Sequence, residues 1–178
     1  MFFDIWTIIN PVLRTLVYIT VLTTIGTVLF QFHFNNFFDK ELSNYCRVLI
    51  KKMSVFGLFI SLVVFLSVAG NLGGDLYSTT DLSLLILAFE TLAGKSAILL
   101  FMGFFVIIIS IFINSTFSSL TKFLGIMLII WSFIIVGHST LKGLSTQTLI
   151  VIHIFCISFW LGSFLPLRFM CMNKNSKN

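Results

Sequence analysis

His138 and His153 stand near the joined ends of two neighbouring apolar segments, Phe123–Ser139 and Thr148–Phe169, separated by the short connection Thr140–Gln147. Two imidazoles at the same depth on adjacent membrane helices can share one metal ion. On the first segment Met127, Trp131 and His138 share one helical face, because steps of four and seven residues come close to whole turns at about 100° per residue. On the second, His153, Cys156 and Trp160 follow i, i+3, i+7 and share a face in the same way. If those faces meet, they form a pocket of imidazole, thiol and thioether edged by indoles. Copper suits such donors: its monovalent form favours sulfur, and imidazole binds either oxidation state. The candidate metal ligands are therefore His138, His153 and Cys156.

Each of these residues also has a plainer reading. A membrane histidine can simply hydrogen-bond a neighbouring helix, Met and Trp can face lipid or fill space, and a cysteine can behave as a small hydrophobe. The matched depth of the two histidines favours function, because ionisable groups inside a bilayer are expensive. His33 lies at the other end of the first span. The run Met170-Cys171-Met172 after the last span is either a receiving site for a soft cation or a frayed tail. No GxSxG, Walker loop, HExxH or paired-carboxylate pattern is present, so hydrolase and ATP-driven pump chemistry lose their support, and the chain is expected not to be an enzyme.

The elements that must position these residues follow from composition. Of 178 residues, 58% are hydrophobic and 10% are charged, and the mean hydropathy is +1.08, which excludes a soluble domain with a polar surface. Mutational bias in an AT-rich genome accounts for the 22 Phe more simply than a functional aromatic lining does. The net charge of +5 is spread thinly through loops, so it reads as topology information and not as a nucleic-acid-binding surface. Cys46, Cys156 and Cys171 form no CxxC pair, so neither a disulfide framework nor a zinc site is indicated.

The fold class expected is all-α, a polytopic transmembrane helix bundle in a single integral membrane domain over residues 1–178. Spans of about 20 apolar residues fall at Val12–Phe32, Met53–Ala69, Ser96–Ile113, Phe123–Ser139 and Thr148–Phe169. Pro11 suits the first turn of the first span, where its missing amide proton would be unpaired anyway. With no Lys or Arg before Arg14, the first helix is expected to be retained and not cleaved as a signal peptide. Asp81–Ile113 is too long for one crossing. Asp81–Ala93 is expected to be an amphipathic, interfacial or re-entrant helix capped by Thr80 or Asp81, with one long tilted helix as the competing arrangement.

Lys40, Arg47, Lys51 and Lys52 fall between the first two spans, and none falls in Gly70–Leu82. By the positive-inside rule the N-terminus is then outside, the C-terminus inside, and both histidines lie on the outer side.

The C-terminal third carries a recognisable pattern: Gly137-His138 closing one helix, then His153-x6-Trp160-Leu161-Gly162-x3-Pro166-Leu167 in the next. It resembles the copper resistance protein D family of bacterial inner-membrane proteins, whose members show a similar GH ending and an H-x6-W-L-G-G-x-x-P-L helix. Arg14-x3-Tyr18-x7-Gly26 and Thr91-x2-Gly94 echo the same family. Ser163 stands where a second Gly is common, and Cys156 has no counterpart in the family pattern. The family domain usually has additional helices, so this chain reads as a short member.

The resemblance implies a helical protein of the bacterial inner membrane that handles copper, taking part in import, homeostasis or resistance with a periplasmic copper-binding protein as partner. His138 and His153 match the motif histidines. On that reading copper exchanges its carrier ligands for the two imidazoles and moves inward past sulfur ligands without ATP hydrolysis. Only neutral imidazole ligates, so binding weakens as pH falls through the histidine range. Two other classes stay open on the residues alone: a haem b electron-transfer module using the histidines as axial ligands, and a membrane assembly subunit in which they only join helices.

Overall fold

The computed structural model describes residues 5–34, 39–113, 117–136 and 143–175. These residues form an all-helical bundle: α1 (Trp6–His33), α2 (Lys40–Gly73), a 3-10 turn (Tyr77–Thr80), α3 (Leu82–Glu90), α4 (Leu92–Phe112), α5 (Phe117–Ile134) and α6 (Leu144–Asn175). Five of them, all but α3, are long and apolar enough to cross a membrane. The large apolar side chains on the outside, such as Phe59, Phe112 and Phe164, are what a lipid-facing surface requires.

The helices outrun the apolar spans. α2 has 34 residues, about 50 Å at 1.5 Å each, against a hydrocarbon core of about 30 Å. It is therefore longer than one crossing requires, and Lys40, Arg47, Lys51 and Lys52 are helical residues and not loop residues. Hydropathy marks only the part of a helix that sits in lipid, so it misplaces ends that continue into the interface. Likewise, α5 begins at Phe117, six residues before Phe123, and runs to Ile134, while Ser139 lies outside the described residues; α6 begins four residues before Thr148. α1 begins at Trp6, so Pro11 lies inside the helix, not at its first turn. The missing proline amide removes the bond that would have reached back to Thr7. Trp6 repays the early start by burying its indole against Gly70 of α2.

The stretch Asp81–Ile113 folds as two helices, so the single long helix is excluded, and the break falls at Thr91 and not after Ala93 as expected. Asp81 caps α3 by accepting from the Ser83 amide at 2.8 Å and the Ser83 hydroxyl at 2.7 Å. Thr91 then leaves helical geometry, with φ −72° and ψ 151°, and its Oγ1 accepts from the Gly94 amide at 2.9 Å to start α4. The nine-residue α3 is about 14 Å long, too short to cross. Asp75 and Asp81 are held below the ordinary carboxylate range, first by the hydroxyls of Ser78 and Ser83 respectively and then by the amides of the same residues.

Packing proceeds by close contact of small residues, as expected where lipid tails are as apolar as the side chains. α1 packs on α2 and α6, α2 on α4, and α4 on α5; the contact between α5 and α6 is narrow. A Cβ on Gly103 would lie 2.9 Å from the Gly125 carbonyl, and one on Gly125 would lie 2.8 Å from the Gly103 carbonyl, so α4 and α5 meet backbone to backbone. Around these crossings Val21, Ile25, Phe104, Ile107 and Ile129 form the core. Buried hydroxyls mostly donate within their own helix: Thr20 to Val17, Thr27 to Thr23, Ser110 to Ile107 and Ser132 to Ile129. Such bonds satisfy a polar group where water is absent.

Candidate metal site and family membership

α6 runs parallel to α1, with Tyr45 of α2 stacked on Phe169 at 4.3 Å near their shared end. The face of α6 turned inward carries Ile154, Ser158 and Gly162, all buried. His153 and Cys156 lie off that face and are exposed, as is Trp160 at 76%. The i, i+3, i+7 set thus shares a face, and that face is the outer surface of the bundle.

His153 is nine residues into α6, about 14 Å along its axis. It therefore stands well inside the helix and not near its end. An i, i+3 pair brings Cβ atoms to about 5–6 Å, so the imidazole and the thiol can reach one ion from a single helix. His138 and the preceding Gly137 lie outside the described residues. Among the described residues no group of three or more His, Cys, Asp or Glu converges on one point.

The pocket expected between the fourth and fifth spans takes a different form. Met127 packs against the central core, whereas Trp131 on the same helix is 60% exposed. α6 is drawn instead to α1 by the Gly26–Gly162 crossing, so Trp160 points outward and, among the described residues, walls no pocket. Met170, Cys171 and Met172 do not form a frayed tail, because α6 continues through them. Successive residues of a helix point about 100° apart, so these three sulfurs do not converge; Met170 packs beside Phe30, Leu42 and Cys46 instead.

The residue reading passed over one polar constellation, the pair Arg47 and Lys122. Both line one cavity where α1 and α4 end and α5 begins. Nothing in the local sequence marks them, since each stands among polar residues at the edge of an apolar run, Arg47 between Asn44 and Lys51 and Lys122 after Ser118, Ser119 and Thr121.

The small-residue contacts coincide with the sequence echoes noted above. Gly26 is the α1 side of the α1–α6 crossing, and Thr91 and Gly94 build the cap of α4. The family model of the copper resistance protein D-like N-terminal domain matches residues 4–147. The chain belongs to that family. The match spans α1 to α5 and the first residues of α6, so His153, Cys156 and Trp160 lie past its end. No curated protein and no solved structure matches the chain. The protein is therefore a copper-related, multi-pass membrane member of the copper resistance protein D-like family.

Proposed function

We propose that this protein binds copper within the bacterial inner membrane and takes part in copper import or homeostasis, as a binding and conducting subunit and not as an enzyme. The observation that carries the reading is the pairing of His153 and Cys156 on one face of α6 in a chain of the copper resistance family. An imidazole and a thiol at i, i+3 supply two donors that suit monovalent copper. His138 is the proposed further ligand, and copper is the cargo. A polar face turned outward in the bilayer is costly unless it is used, which favours a role in ligation over one in filling space.

The orientation proposed is N-terminus in the periplasm and C-terminus in the cytoplasm, with a periplasmic copper-binding protein delivering the ion. The test is metal analysis of the purified protein after exposure to copper, beside the His138→Ala, His153→Ala double variant. Bound copper in the wild type and its loss in a normally folded double variant are expected. Equal copper in both, or none in either, would overturn the proposal.

A further inference from the structure

Arg47 of α2 and Lys122 of α5 line one cavity of about 220 Å³ together with Gln31, Ser43, Ser110 and Ser118. That is well above the roughly 10–15 Å³ of probe-occupied volume needed to hold a water. The cavity lies where α1 and α4 end and α5 begins, with Arg47 seven residues, about 10 Å, from the start of α2. Its polar lining holds two cations and no carboxylate. Two like charges thus face one space, an arrangement that favours an anion between them.

The donors are held in place. The Arg47 Nη2 donates to the carbonyl of Ile111 in the last turn of α4 at 2.8 Å, which fixes the guanidinium. Ser118 Oγ donates to the Ser110 carbonyl at 2.8 Å and ties the first turn of α5 to α4. Ser118 and Lys122, one turn apart on α5, thus both line the cavity. A guanidinium and an ammonium around one space form a set of donors that matches tetrahedral oxyanions. The same end of α2 bears Lys40, Lys51 and Lys52, and basic pockets between helices at that level of a bilayer take lipid headgroups.

We propose that this cavity binds a phosphate group, supplied by an anionic phospholipid headgroup or by soluble phosphate reaching the same end of the bundle. The test is the melting temperature of the detergent-purified full chain during titration with phosphatidylglycerol, with phosphatidylcholine of the same acyl chains, and with inorganic phosphate against chloride at equal ionic strength. Phosphatidylglycerol is expected to raise the melting temperature while phosphatidylcholine does not. Lys122→Gln should weaken the apparent affinity at least about tenfold, in line with losing a charge-assisted hydrogen bond. Lys122→Arg should retain it, and Lys51→Gln, a change at an exposed cation outside the cavity, should leave it unaltered. If inorganic phosphate reproduces the shift, the source is soluble; if only the lipid does, it is the headgroup; either result supports the phosphate site. Should Lys122→Gln prove unstable, Ser118→Ala and native mass spectrometry of the folded fraction give the same readout. No shift with either phosphate source, or an equal loss in Lys51→Gln, would overturn the proposal.

Discussion

Gly26 on α1 and Gly162 on α6 meet backbone to backbone: a Cβ built on either would lie 2.6 Å from the Cα of the other. Real Cβ atoms do not approach that closely, so any side chain at either position must push the helices apart. The crossing fixes α6 against α1 and thereby decides which face of α6, the one with His153 and Cys156, is left on the outside.

Gly162→Leu is expected to destabilise the bundle by about 1–3 kcal/mol, the usual cost of overpacking a filled interface. Its folded yield on size-exclusion chromatography should fall although no ligand is touched. The same change at Gly143, where no atom lies within 4 Å of a built Cβ, tests something else, since φ there is +81° and the strain is in the backbone. An unaltered yield for Gly162→Leu would remove the close crossing as the determinant of α6 placement.

Much of this fold was legible because bilayer thickness sets a length that composition must satisfy. The five spans and the Asp81 cap were marked by residue type, whereas the break expected after Ala93 falls at Thr91, because the Thr91 hydroxyl caps α4 two residues earlier. What composition did not mark was which helices pair. α6 was expected beside α5 because they are neighbours in sequence, yet Gly26 lies far away in sequence and offers the smaller surface. The ends of α2 and α5 were hidden for a different reason: Lys51, Lys52 and Lys122 are polar but still helical, and hydropathy registers polarity and not backbone. In the candidate site, the shared face of His153, Cys156 and Trp160 followed from helical period alone, whereas its outward direction depended on the Gly26–Gly162 contact and so could not.

The orientation can be read by labelling. In a background in which Cys46, Cys156 and Cys171 are replaced, a cysteine at Tyr77, which is 87% exposed in the connection before α3, is expected to react with an impermeant maleimide added from the periplasm. A cysteine at the exposed Asn44 is expected to react only after the membrane is opened. The reverse pattern would turn the protein over and place the Arg47–Lys122 cavity at the outer leaflet.

Asp75 and Asp81 give the connection between α2 and α3 a defined response to acid. Both carboxyls are held low by serine hydroxyls and amides in the folded chain. Their capping bonds are therefore fully present above the ordinary carboxylate range and are lost as pH falls through the depressed native values. Hydrogen exchange over residues 75–90 should accelerate on acidification below that range relative to the α4–α5 core, after correction for the intrinsic rate. Asp81→Asn should blunt the acid dependence, because an amide can still accept from Ser83 without titrating. Equal acid response in that variant would assign the effect elsewhere.

If His153 and Cys156 hold one ion from the outer face of α6, they must act as a unit. Each supplies a donor to a site with few others, so removing either leaves the ion short of ligands and removing the second costs little more. His153→Ala and Cys156→Ala should each weaken copper binding by at least the roughly 10–100-fold that even outer-shell partners of a metal carry, and the double variant should lose much less than the product of the two. Such coupling is expected only of groups sharing a partner. The thiol should matter more for the monovalent ion than for the divalent one, since sulfur is the softer donor. Copper titrations of the three variants, run once under reducing conditions and once with divalent copper, measure both effects. Additive losses would mean that the two side chains serve separate ions, and unaltered binding in the double variant would leave His153 as a residue that only joins α6 to a neighbour.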